Sequence, residues 1–477
     1  MYTPTRTRSG WALALGMGLM SLFVACGGEM SAGIQGSGAP VAASVTAVGP
    51  INAFGSIFID GVEYSTAGAQ IRIDDQPGTE GDLHVGQIVT LKGTVNPDGL
   101  TGTASDVAFS GDLRGPVSQI DLDAGTFVVL GQTVRVTDAT LFDDDFQAPA
   151  ITGFPIGVVV EVSGFADGAG NLVASRIDAS TAMSGFRVRG VVQQLDAMAH
   201  TFRINGLTVD YSGVAPNGTL ANDAVVIVQG TTLPGNGTLM ATRVQVVGGL
   251  NAAANDQGRI EGFITAFVSN ADFTVNGQRV TTDAATVLDL HGATLAVNTP
   301  VKVRGTFNTS GVLMASKVEV KSQRLSLVRG LVDSVSASGN TLTVLGVAVA
   351  TNSTTSFDDK SSLHLKSFKL ADVRTGDYVE VRGTADPSGS GFVATLLERD
   401  QPDDRSELQG IALNVANPNF TVLGVQVSTD SHTNFPGSGG GADAAARFFA
   451  GASNQFVRVR GTLAGNIVLA DQAQIRN

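Results

Sequence analysis

Cysteine is almost absent from this sequence. Among 477 residues there is a single cysteine, Cys26, and a single tryptophan, Trp11, and both lie near the amino end. One cysteine cannot form an intramolecular disulfide. The long remainder of the chain therefore has to be stable without that type of cross-link.

A basic surface is also absent, and aromatic residues are few. The net charge is −13 at pH 7, and aromatics make up 6% of the residues. An acidic protein repels the phosphates of nucleic acids, and binding of single strands depends on exposed aromatic side chains. Phe202, Phe273 and Phe420 instead alternate with polar residues, as core residues of strands do. We therefore expect no nucleic-acid partner.

Helical periodicity is missing as well. After the amino-terminal segment, no stretch keeps apolar residues at the 3.6-residue spacing of an amphipathic helix. The best helical candidate is the short run Ala442–Ala450. Helix is therefore expected to be a minor component.

The chain has a repeat instead. A strand-like run of the form V-x-V-x-G, or close to it, recurs about every 65 to 80 residues, which is the size of a small domain rather than of one solenoid turn. The six runs end at Gly93, Gly164, Gly230, Gly305, Gly383 and Gly461.

Two further landmarks recur with these runs. An early glycine precedes each of the later runs, at Gly115, Gly190, Gly262, Gly330 and Gly410. Hairpin signatures such as FTVNGQRV are centred on Gly61, Gly131, Gly206, Gly277, Gly346 and Gly424. Asp or Asn before three of these glycines fits a two-residue turn with positive φ angles. The other three turns have Leu130, Leu345 and Leu423 there, and leucine disfavours positive φ, so a different turn type is predicted for them.

Five or six short strands separated by tight turns in each repeat predict an all-β fold, a tandem array of six small antiparallel β-barrels of the oligonucleotide/oligosaccharide-binding type. Units this small bury little apolar surface, so neighbouring repeats are expected to lean on one another. Gly248–Gly258 is the best candidate for a flexible hinge between repeats 1–3 and 4–6. The predicted segments are a signal peptide at 1–25, a tether at 26–44, and repeats at 45–110, 111–182, 183–248, 256–322, 325–400 and 404–477.

The amino end has the order of a secretory signal. Arg6 and Arg8 precede the apolar run WALALGMGLMSLFVA, and the residues FVAC ending at Cys26 resemble a bacterial lipobox. That resemblance implies cleavage before Cys26 and acylation of the cysteine, which would hold the protein on a membrane. Gly27, in place of Asp, resembles the signal for the outer membrane. We therefore expect a lipoprotein of the bacterial cell envelope, attached through its lipid and facing either the periplasm or the surface, with the Gly/Ser-rich stretch Gly27–Ser44 as a flexible tether.

No residues converge in sequence as catalytic or zinc-binding sets do. The five histidines fall in different repeats without the spacings of metal ligands, and no serine stands in a nucleophile elbow. Acidic clusters after the hairpins could bind a hard cation such as calcium, although a solvated loop or turn cap is the commoner role of such residues. The candidates for such a calcium site are Asp143, Asp144, Asp145, Asp358 and Asp359.

Arginine occupies the position before the glycine in three of the V-x-V-x-G runs. These residues are Arg304, Arg382 and Arg460. They are expected to pair with acidic residues on neighbouring strands, and such pairs add little stability at a surface.

The recurring R-G-x-V, T-V-L-G-x-x-V and V-E-V-R-G-T motifs, together with the lipobox, resemble the bacterial family called domain of unknown function 5666. The resemblance covers nearly everything from Ser44 to Arg476 and is clearest over Val328–Arg399. It implies small barrels and an envelope location, and it implies no activity.

The favoured hypothesis is a non-enzymatic, membrane-tethered repeat array without a cofactor that binds or spaces an envelope protein or glycan, because six similar modules offer avidity or length. One alternative is an enzyme or accessory protein acting on envelope glycans. Another alternative is a calcium-stabilised surface scaffold.

Overall fold

The structure is a computed structural model that describes residues 42–122, 124–143, 146, 151, 154–180, 185–232, 237–322, 324–385, 391–438 and 443–476. Over these residues the protein is all-β, and the six repeats form six small barrels, which confirms the predicted fold class. The predicted signal peptide and the predicted acylation site Cys26 lie outside the described residues. No helix in the described part of the chain has the length and apolar character that crossing a bilayer would need.

Each repeat contributes a similar series of short strands. Repeat 1 contains β1 (Ala43–Pro50), β2 (Ile57–Ile59), β3 (Val62–Ser65), β4 (Gln70–Ile73), β5 (Gln76–Pro77), β6 (Ile88–Val95) and β7 (Thr101–Phe109). Repeat 2 contains β8 (Leu113–Asp121), β9 (Thr126–Val129), β10 (Gln132–Arg135), β11 (Leu141–Phe142), β12 (Val159–Ala166) and β13 (Leu172–Ala179). Repeat 3 contains β14 (Phe186–Val191), β15 (Gln193–Asp196), β16 (Thr201–Ile204), β17 (Leu207–Asp210), β18 (Val225–Gly230), β19 (Thr238–Met240) and β20 (Arg243–Val246).

The second half of the chain follows the same plan. Repeat 4 contains β21 (Gln257–Ser269), β22 (Asp272–Val275), β23 (Gln278–Thr281), β24 (Val287–Asp289), β25 (Pro300–Phe307) and β26 (Leu313–Val320). Repeat 5 contains β27 (Ser326–Ser336), β28 (Thr341–Val344), β29 (Val347–Ala350), β30 (Ser356–Asp359), β31 (Tyr378–Ala385) and β32 (Phe392–Arg399). Repeat 6 contains β33 (Arg405–Ala416), β34 (Asn419–Val422), β35 (Val425–Ser428), α1 (Ala444–Gly451), β36 (Phe456–Ala464) and β37 (Ile467–Ile475).

Repeat 5 shows how one barrel closes. The long first strand β27 pairs with β28 at one end and with β31 at the other, and the β28–β29 hairpin returns along the barrel. The ring is completed because β29 pairs with β32, which also pairs with β31. The β29–β32 contact is parallel, so the barrel is mixed rather than purely antiparallel as predicted. Repeats 2, 4 and 6 close in the same order.

The glycine that ends each V-x-V-x-G run marks the point where the barrel bends. In repeats 1, 2, 4, 5 and 6 the register between the last two strands of the repeat shifts immediately before this glycine. A Cβ atom at Gly383, for example, would overlap the carbonyl oxygen of Val393 on the opposite strand. A bulge with such close backbone approach bends a strand, and closing so small a barrel requires that bend. The glycine of the repeated motif is therefore required by the geometry of the barrel.

The prediction of a different turn type for the leucine-containing hairpins is wrong. Leu130, Leu345 and Leu423 have φ angles of 48°, 51° and 52°, close to the 49° of Asn276 in the Asn-Gly turn. Positive φ costs a leucine about 1–2 kcal/mol, whereas full burial of its side chain contributes about 1.5–3 kcal/mol. Leu130 and Leu345 are buried, each packed over the early glycine of its own repeat. Burial therefore offsets the backbone cost, and local propensity does not decide the turn.

The barrels are joined in pairs through their first strands. The first strands of repeats 2 and 3 (β8 and β14) are antiparallel neighbours, and so are those of repeats 5 and 6 (β27 and β33). The first strands of repeats 1 and 4 (β1 and β21) pair in parallel. The apolar cores of repeats 2 and 3 merge into one cluster, and those of repeats 5 and 6 merge into another. The expectation that neighbours lean on one another is thus confirmed, and the barrels of these pairs are not independent.

The predicted hinge at Gly248–Gly258 is wrong. Repeat 1 and repeat 4 share one sheet through β1 and β21, so the two halves of the chain are hydrogen-bonded to each other. Within the segment, the carbonyl oxygen of Asn251 accepts a hydrogen bond from Lys92 of repeat 1, at 3.0 Å. Leu250 and Ala252 pack against the core of repeat 4.

The short helix predicted at Ala442–Ala450 is confirmed, over Ala444–Gly451. Its Phe448 is fully buried and packs with Phe420, Phe435 and Phe449. Phe202, Phe273 and Phe420, which were assigned to the core from their alternation, are each 1% exposed.

Candidate functional site

The acidic residues considered for calcium are engaged in different ways. The carboxylate of Asp359 accepts two hydrogen bonds from Arg399, at 2.9 and 2.6 Å, and further ones from the backbone of Ser361 and Leu365. Burial alone would raise the pKa of Asp359, but these hydrogen bonds lower it to about 2. Asp358 lies 4.0 Å from Arg176 of repeat 2.

The equivalent cluster in repeat 2 is described in part. Asp143 accepts a hydrogen bond from the backbone of Ala179, and Asp144 and Asp145 lie outside the described residues. Among the residues that the structure describes, no three His, Cys, Asp or Glu side chains are placed to hold a metal ion together. Binding of calcium to these loops therefore stays a prediction.

The arginines of the V-x-V-R-G runs form the more informative set. Arg304 in repeat 4 forms an ion pair with Asp60. Asp60 lies in the hairpin turn of repeat 1 and not on a neighbouring strand of repeat 4. The Asp60 carboxylate accepts hydrogen bonds from the guanidinium of Arg304, at 2.7 and 2.8 Å, and from that of Arg259, at 3.2 Å. The amino group of Lys302 lies 3.8 Å from the same carboxylate. Burial alone would raise the pKa of Asp60, but the hydrogen bond from Arg304 and the charges of Lys302 and Arg259 lower it.

A second acidic turn of repeat 1 covers the sheet shared by repeats 2 and 3. Asp74, between β4 and β5, forms ion pairs with Arg114 at 2.6 Å and with Arg187 at 2.9 Å. Asp75 forms one with Arg243 at 3.0 Å. Asp74 and Asp75 have φ angles of 50° and 66°, so both carboxylates are presented by a tight turn.

Arg382 in repeat 5 is covered by a turn of repeat 2. Its guanidinium donates to the carbonyl oxygens of Asp138 and Thr140, each at 2.9 Å. The side-chain amide of Gln409 donates to the Asp138 carboxylate at 2.9 Å. Within its own strand Arg382 also pairs with Glu380, so the expected acidic partner is present in addition to the turn.

Arg460, the third arginine of this set, lies at an open cleft. Among the described residues, Arg458 and Arg460 form ion pairs only with Glu407, and Arg476 forms none. The side chain of Arg458 is 28% exposed and that of Arg460 is 46% exposed, whereas that of Glu407 is only 7% exposed. The expectation of a partner on a neighbouring strand holds for Arg460, because β33, which carries Glu407, pairs with β36.

The open cleft has a volume of about 310 Å³, enough for roughly ten water molecules. Its two sides differ: repeat 2 supplies a partly apolar wall that includes Phe142 and Ile151, and repeats 5 and 6 supply a polar one. On the polar wall the strands β33, β36 and β37 lie side by side. In their register Arg458 of β36 pairs with Gln409 on one side and with Gln474 on the other. Two residues along β36, Arg460 pairs with Glu407 and Gln472 in the same way. We call the surface formed by Arg458, Arg460, Gln472, Gln474 and Arg476 the repeat 6 face.

The charge of the cleft is opposite to that of the chain. Among the described residues, Arg382, Arg458, Arg460 and Arg476 line it together with one acid, Asp138, while the whole protein carries −13. Gln409, which is 1% exposed, has a side-chain oxygen without a hydrogen-bond partner among the described residues. A cleft with these groups is suited to an anionic ligand that also offers polar groups. Sequence reasoning singled out Arg460 but missed Arg458, Arg476 and the glutamines, although the V-R-V-R-G spacing places both arginines on one face of a strand.

A second depression, of about 580 Å³, lies at the mouth of the repeat 3 barrel. His200 and Tyr211 line it, with their rings 5.4 Å apart, among apolar residues such as Leu195 and Leu220. Of the residues that the structure describes, no Arg, Lys, Asp or Glu lines this depression. It therefore lacks the charged groups that distinguish the cleft.

The fold and these faces define an all-β protein of tandem, paired small barrels whose charged surfaces receive acidic turns. The chain belongs to the family described as Domain of unknown function (DUF5666), which matches residues 44–108, 114–178, 189–245, 261–319, 329–398 and 410–472. The family recognised from the repeated motifs is thereby confirmed, with six tandem copies. No curated protein shows significant similarity to the chain.

Proposed function

We propose that the protein is a non-enzymatic binding protein of the bacterial cell envelope, held on a membrane through acylated Cys26, that captures an anionic ligand at the repeat 6 face. The observation that carries this proposal is the cleft that Arg458, Arg460 and Arg476 line among the described residues of an otherwise acidic protein. Guanidinium groups bind carboxylates and phosphates with two parallel hydrogen bonds, which gives both affinity and orientation.

The pairing of the barrels favours binding over spacing. A spacer gains length when its modules follow one another as a string, whereas here repeats 1 and 4, 2 and 3, and 5 and 6 share sheets. Turns of repeats 1 and 2 also contact the sheets of other pairs, as Asp74 and Asp138 do. Compact packing of this kind creates clefts between modules, and ligand sites are common at such boundaries.

The test uses the lipid-free chain from residue 26 with Cys26→Ser. Binding of polyglutamate, polygalacturonate and polyphosphate is measured by calorimetry at low and at physiological salt. At least one of the three polyanions should bind, more tightly at low salt, because exposed charges are screened as ionic strength rises. Arg458→Gln combined with Arg460→Gln should weaken binding roughly tenfold or more, since hydrogen bonds to charged groups are the stronger kind.

The matched control is Arg279→Gln, which removes an exposed arginine of repeat 4 that pairs with Asp272 away from the cleft. It should leave the affinity unchanged. The proposal is wrong if none of the polyanions binds, or if the control and the double variant weaken binding equally.

The calcium-stabilised scaffold is an alternative with named candidate residues, among them Asp143, Asp358 and Asp359. Melting of the same chain with calcium and with a chelator tests it. Because Arg399 already occupies the Asp359 carboxylate, we expect equal melting midpoints in the two conditions.

A further inference from the structure

We propose that the repeat 6 face receives an aspartate-bearing tight turn of a partner protein, in the way that equivalent faces of this molecule receive their own acidic turns. This inference rests on the proposed function and names the chemistry of the ligand.

The equivalence of the faces follows from position in the repeat. Arg304, Arg382 and Arg460 each stand immediately before the bulge glycine of the second-last strand of their repeat, at Gly305, Gly383 and Gly461. Lys302 and Arg458 hold the same place, two residues earlier, in repeats 4 and 6. The side chains of these residues point away from the barrel cores, since the alternating Val303 and Val459 are fully buried.

In two of the three repeats a turn from another repeat covers this arginine. In repeat 4 the turn carries Asp60, with a φ of 48°, and in repeat 5 it carries Asp138. The Asp74–Asp75 turn on Arg114, Arg187 and Arg243 adds a third case, on the sheet shared by repeats 2 and 3. Among the described residues, no turn of another repeat forms an ion pair with Arg458, Arg460 or Arg476.

The internal cases favour a polypeptide over a glycan as the occupant. Arg304 donates to the backbone carbonyl oxygen of Asp60 at 3.3 Å as well as to its carboxylate. Arg382 donates only to carbonyl oxygens of its covering turn, and Gln409 then binds the carboxylate of the same Asp138. These faces thus bind a carboxylate together with adjacent peptide carbonyls. A turn of a polypeptide presents both groups side by side, whereas an acidic sugar such as galacturonate has hydroxyl and ether oxygens but no amide carbonyl beside its carboxylate.

The charge and size of the cleft agree with such an occupant. Glu407 compensates one of the charges of Arg458 and Arg460, and Arg476 adds another positive charge. Asp138 offsets one of these charges, so the described lining residues keep a net positive charge. The volume of about 310 Å³ is at the lower end of ligand pockets, which suits the tip of a turn rather than a long segment.

The probe is a backbone-cyclised peptide with the sequence of residues 56–65, the hairpin of repeat 1 with Asp60 and Gly61 at its turn. The matched control is the same peptide with Asp60→Asn, because Asn-Gly keeps the turn geometry and removes the charge. Fluorescence anisotropy of each peptide is measured with the full lipid-free chain. The Asp peptide should bind at least roughly tenfold more tightly than the Asn peptide, as expected for loss of a charge-assisted hydrogen bond.

Protein variants then locate the binding. Arg458→Gln with Arg460→Gln should reduce affinity for the Asp peptide to that for the Asn peptide, and Arg279→Gln should not change it. If the double variant is unstable, Arg476→Gln provides the test instead. Arg476 is exposed and makes no ion pair with a described residue, so its substitution should not affect folding. This substitution should still weaken binding of the Asp peptide severalfold.

The outcomes separate the two proposals. If polygalacturonate or polyphosphate binds in an arginine-dependent way and the Asp peptide does not, the inference is wrong and the proposed function stands. If no anionic probe binds at all, both are wrong. If the protein dimerises in sedimentation experiments and the dimer depends on these arginines, the occupant of the face is a second copy of the chain. If a variant with Asp144→Asn and Asp145→Asn binds the peptide more tightly, the occupant is a carboxylate of the chain itself. Either result would also overturn the inference.

Discussion

Leu345 and Gly330 are paired across the mouth of the repeat 5 barrel: a Cβ atom on the glycine would lie 2.7 Å from the Cδ2 atom of the leucine. The leucine stands at a φ of 51° in its turn, and its side chain is buried over the glycine. The early glycine of the repeat and the residue at the hairpin turn therefore depend on each other.

This dependence predicts non-additive effects in a double-mutant cycle. Leu345→Ala should lower the free energy of unfolding by about 2–5 kcal/mol, the usual cost of emptying a buried leucine site. Gly330→Ala should cost about 1–3 kcal/mol because the new methyl group overlaps Leu345. The double variant should be more stable than the sum of the two effects predicts, since removing the leucine makes room for the methyl group. Chemical denaturation of the four proteins measures this coupling, and simple additivity would contradict the pairing.

Asp60 should be a strong determinant of stability although it stands in a turn. Asp60→Asn leaves Arg259, Lys302 and Arg304 without their shared carboxylate, and the loss of one partner of a buried ion pair costs about 3 kcal/mol. Because the pKa of Asp60 is lowered by folding, its contribution is complete above its ordinary value of 3.8 and is lost as the pH falls through the folded value. Thermal melts of both proteins between neutral and acidic pH should therefore converge in acid. Asp98→Asn, in an exposed turn, is the control and should leave the melting midpoint nearly unchanged.

Asp400 should give the protein the opposite pH dependence. Burial and the nearby carboxylates of Glu398 and Glu380 raise its pKa to about 8, even though Arg329 lies 2.9 Å away. Between 3.8 and about 8 the unfolded chain has released a proton that the folded chain still holds, so this residue makes the free energy of unfolding fall as the pH rises. In Asp400→Asn that decline should be shallower. Identical slopes of melting midpoint against pH for both proteins would show that Asp400 is ionised in the folded state.

The pairing of first strands predicts how truncations behave. A chain without residues 404–477 loses β33 and leaves the edge of β27 without its partner, whereas a chain without residues 325–477 removes both members of that pair. Unpaired strand edges promote aggregation. The shorter chain should therefore stay soluble and monomeric in size-exclusion chromatography, while the longer one aggregates. The reverse order would mean that strand pairing between repeats 5 and 6 is unimportant.

The sequence alone was sufficient for the barrel but not for the way that barrels combine. Strand alternation around Phe273 and the Asn276–Gly277 turn are local signals, and both appear in the structure as predicted. The turn at Leu345 could not be predicted from propensity, because the energy that decides it comes from burial over Gly330.

The candidate site depended still more on tertiary arrangement. Arg304 and Arg460 have the same local motif, yet one is covered by Asp60 from a repeat far away in sequence and the other faces a cleft. No pattern within a repeat specifies which turn reaches which arginine. Only the positions of whole repeats decide which of the equivalent faces stays open.

The parallel pairing of β1 with β21 also constrains how a growing chain can mature. Val45 pairs with Gln257, and all of repeats 2 and 3 are synthesised between these two residues. Repeats 2 and 3 can pair with each other as soon as both are synthesised, but one edge of β1 in repeat 1 stays unpaired until repeat 4 has been synthesised. Contacts over such a distance form slowly and leave intermediates prone to mispairing. The nascent protein is therefore most vulnerable while its first module is complete and its fourth is still unmade.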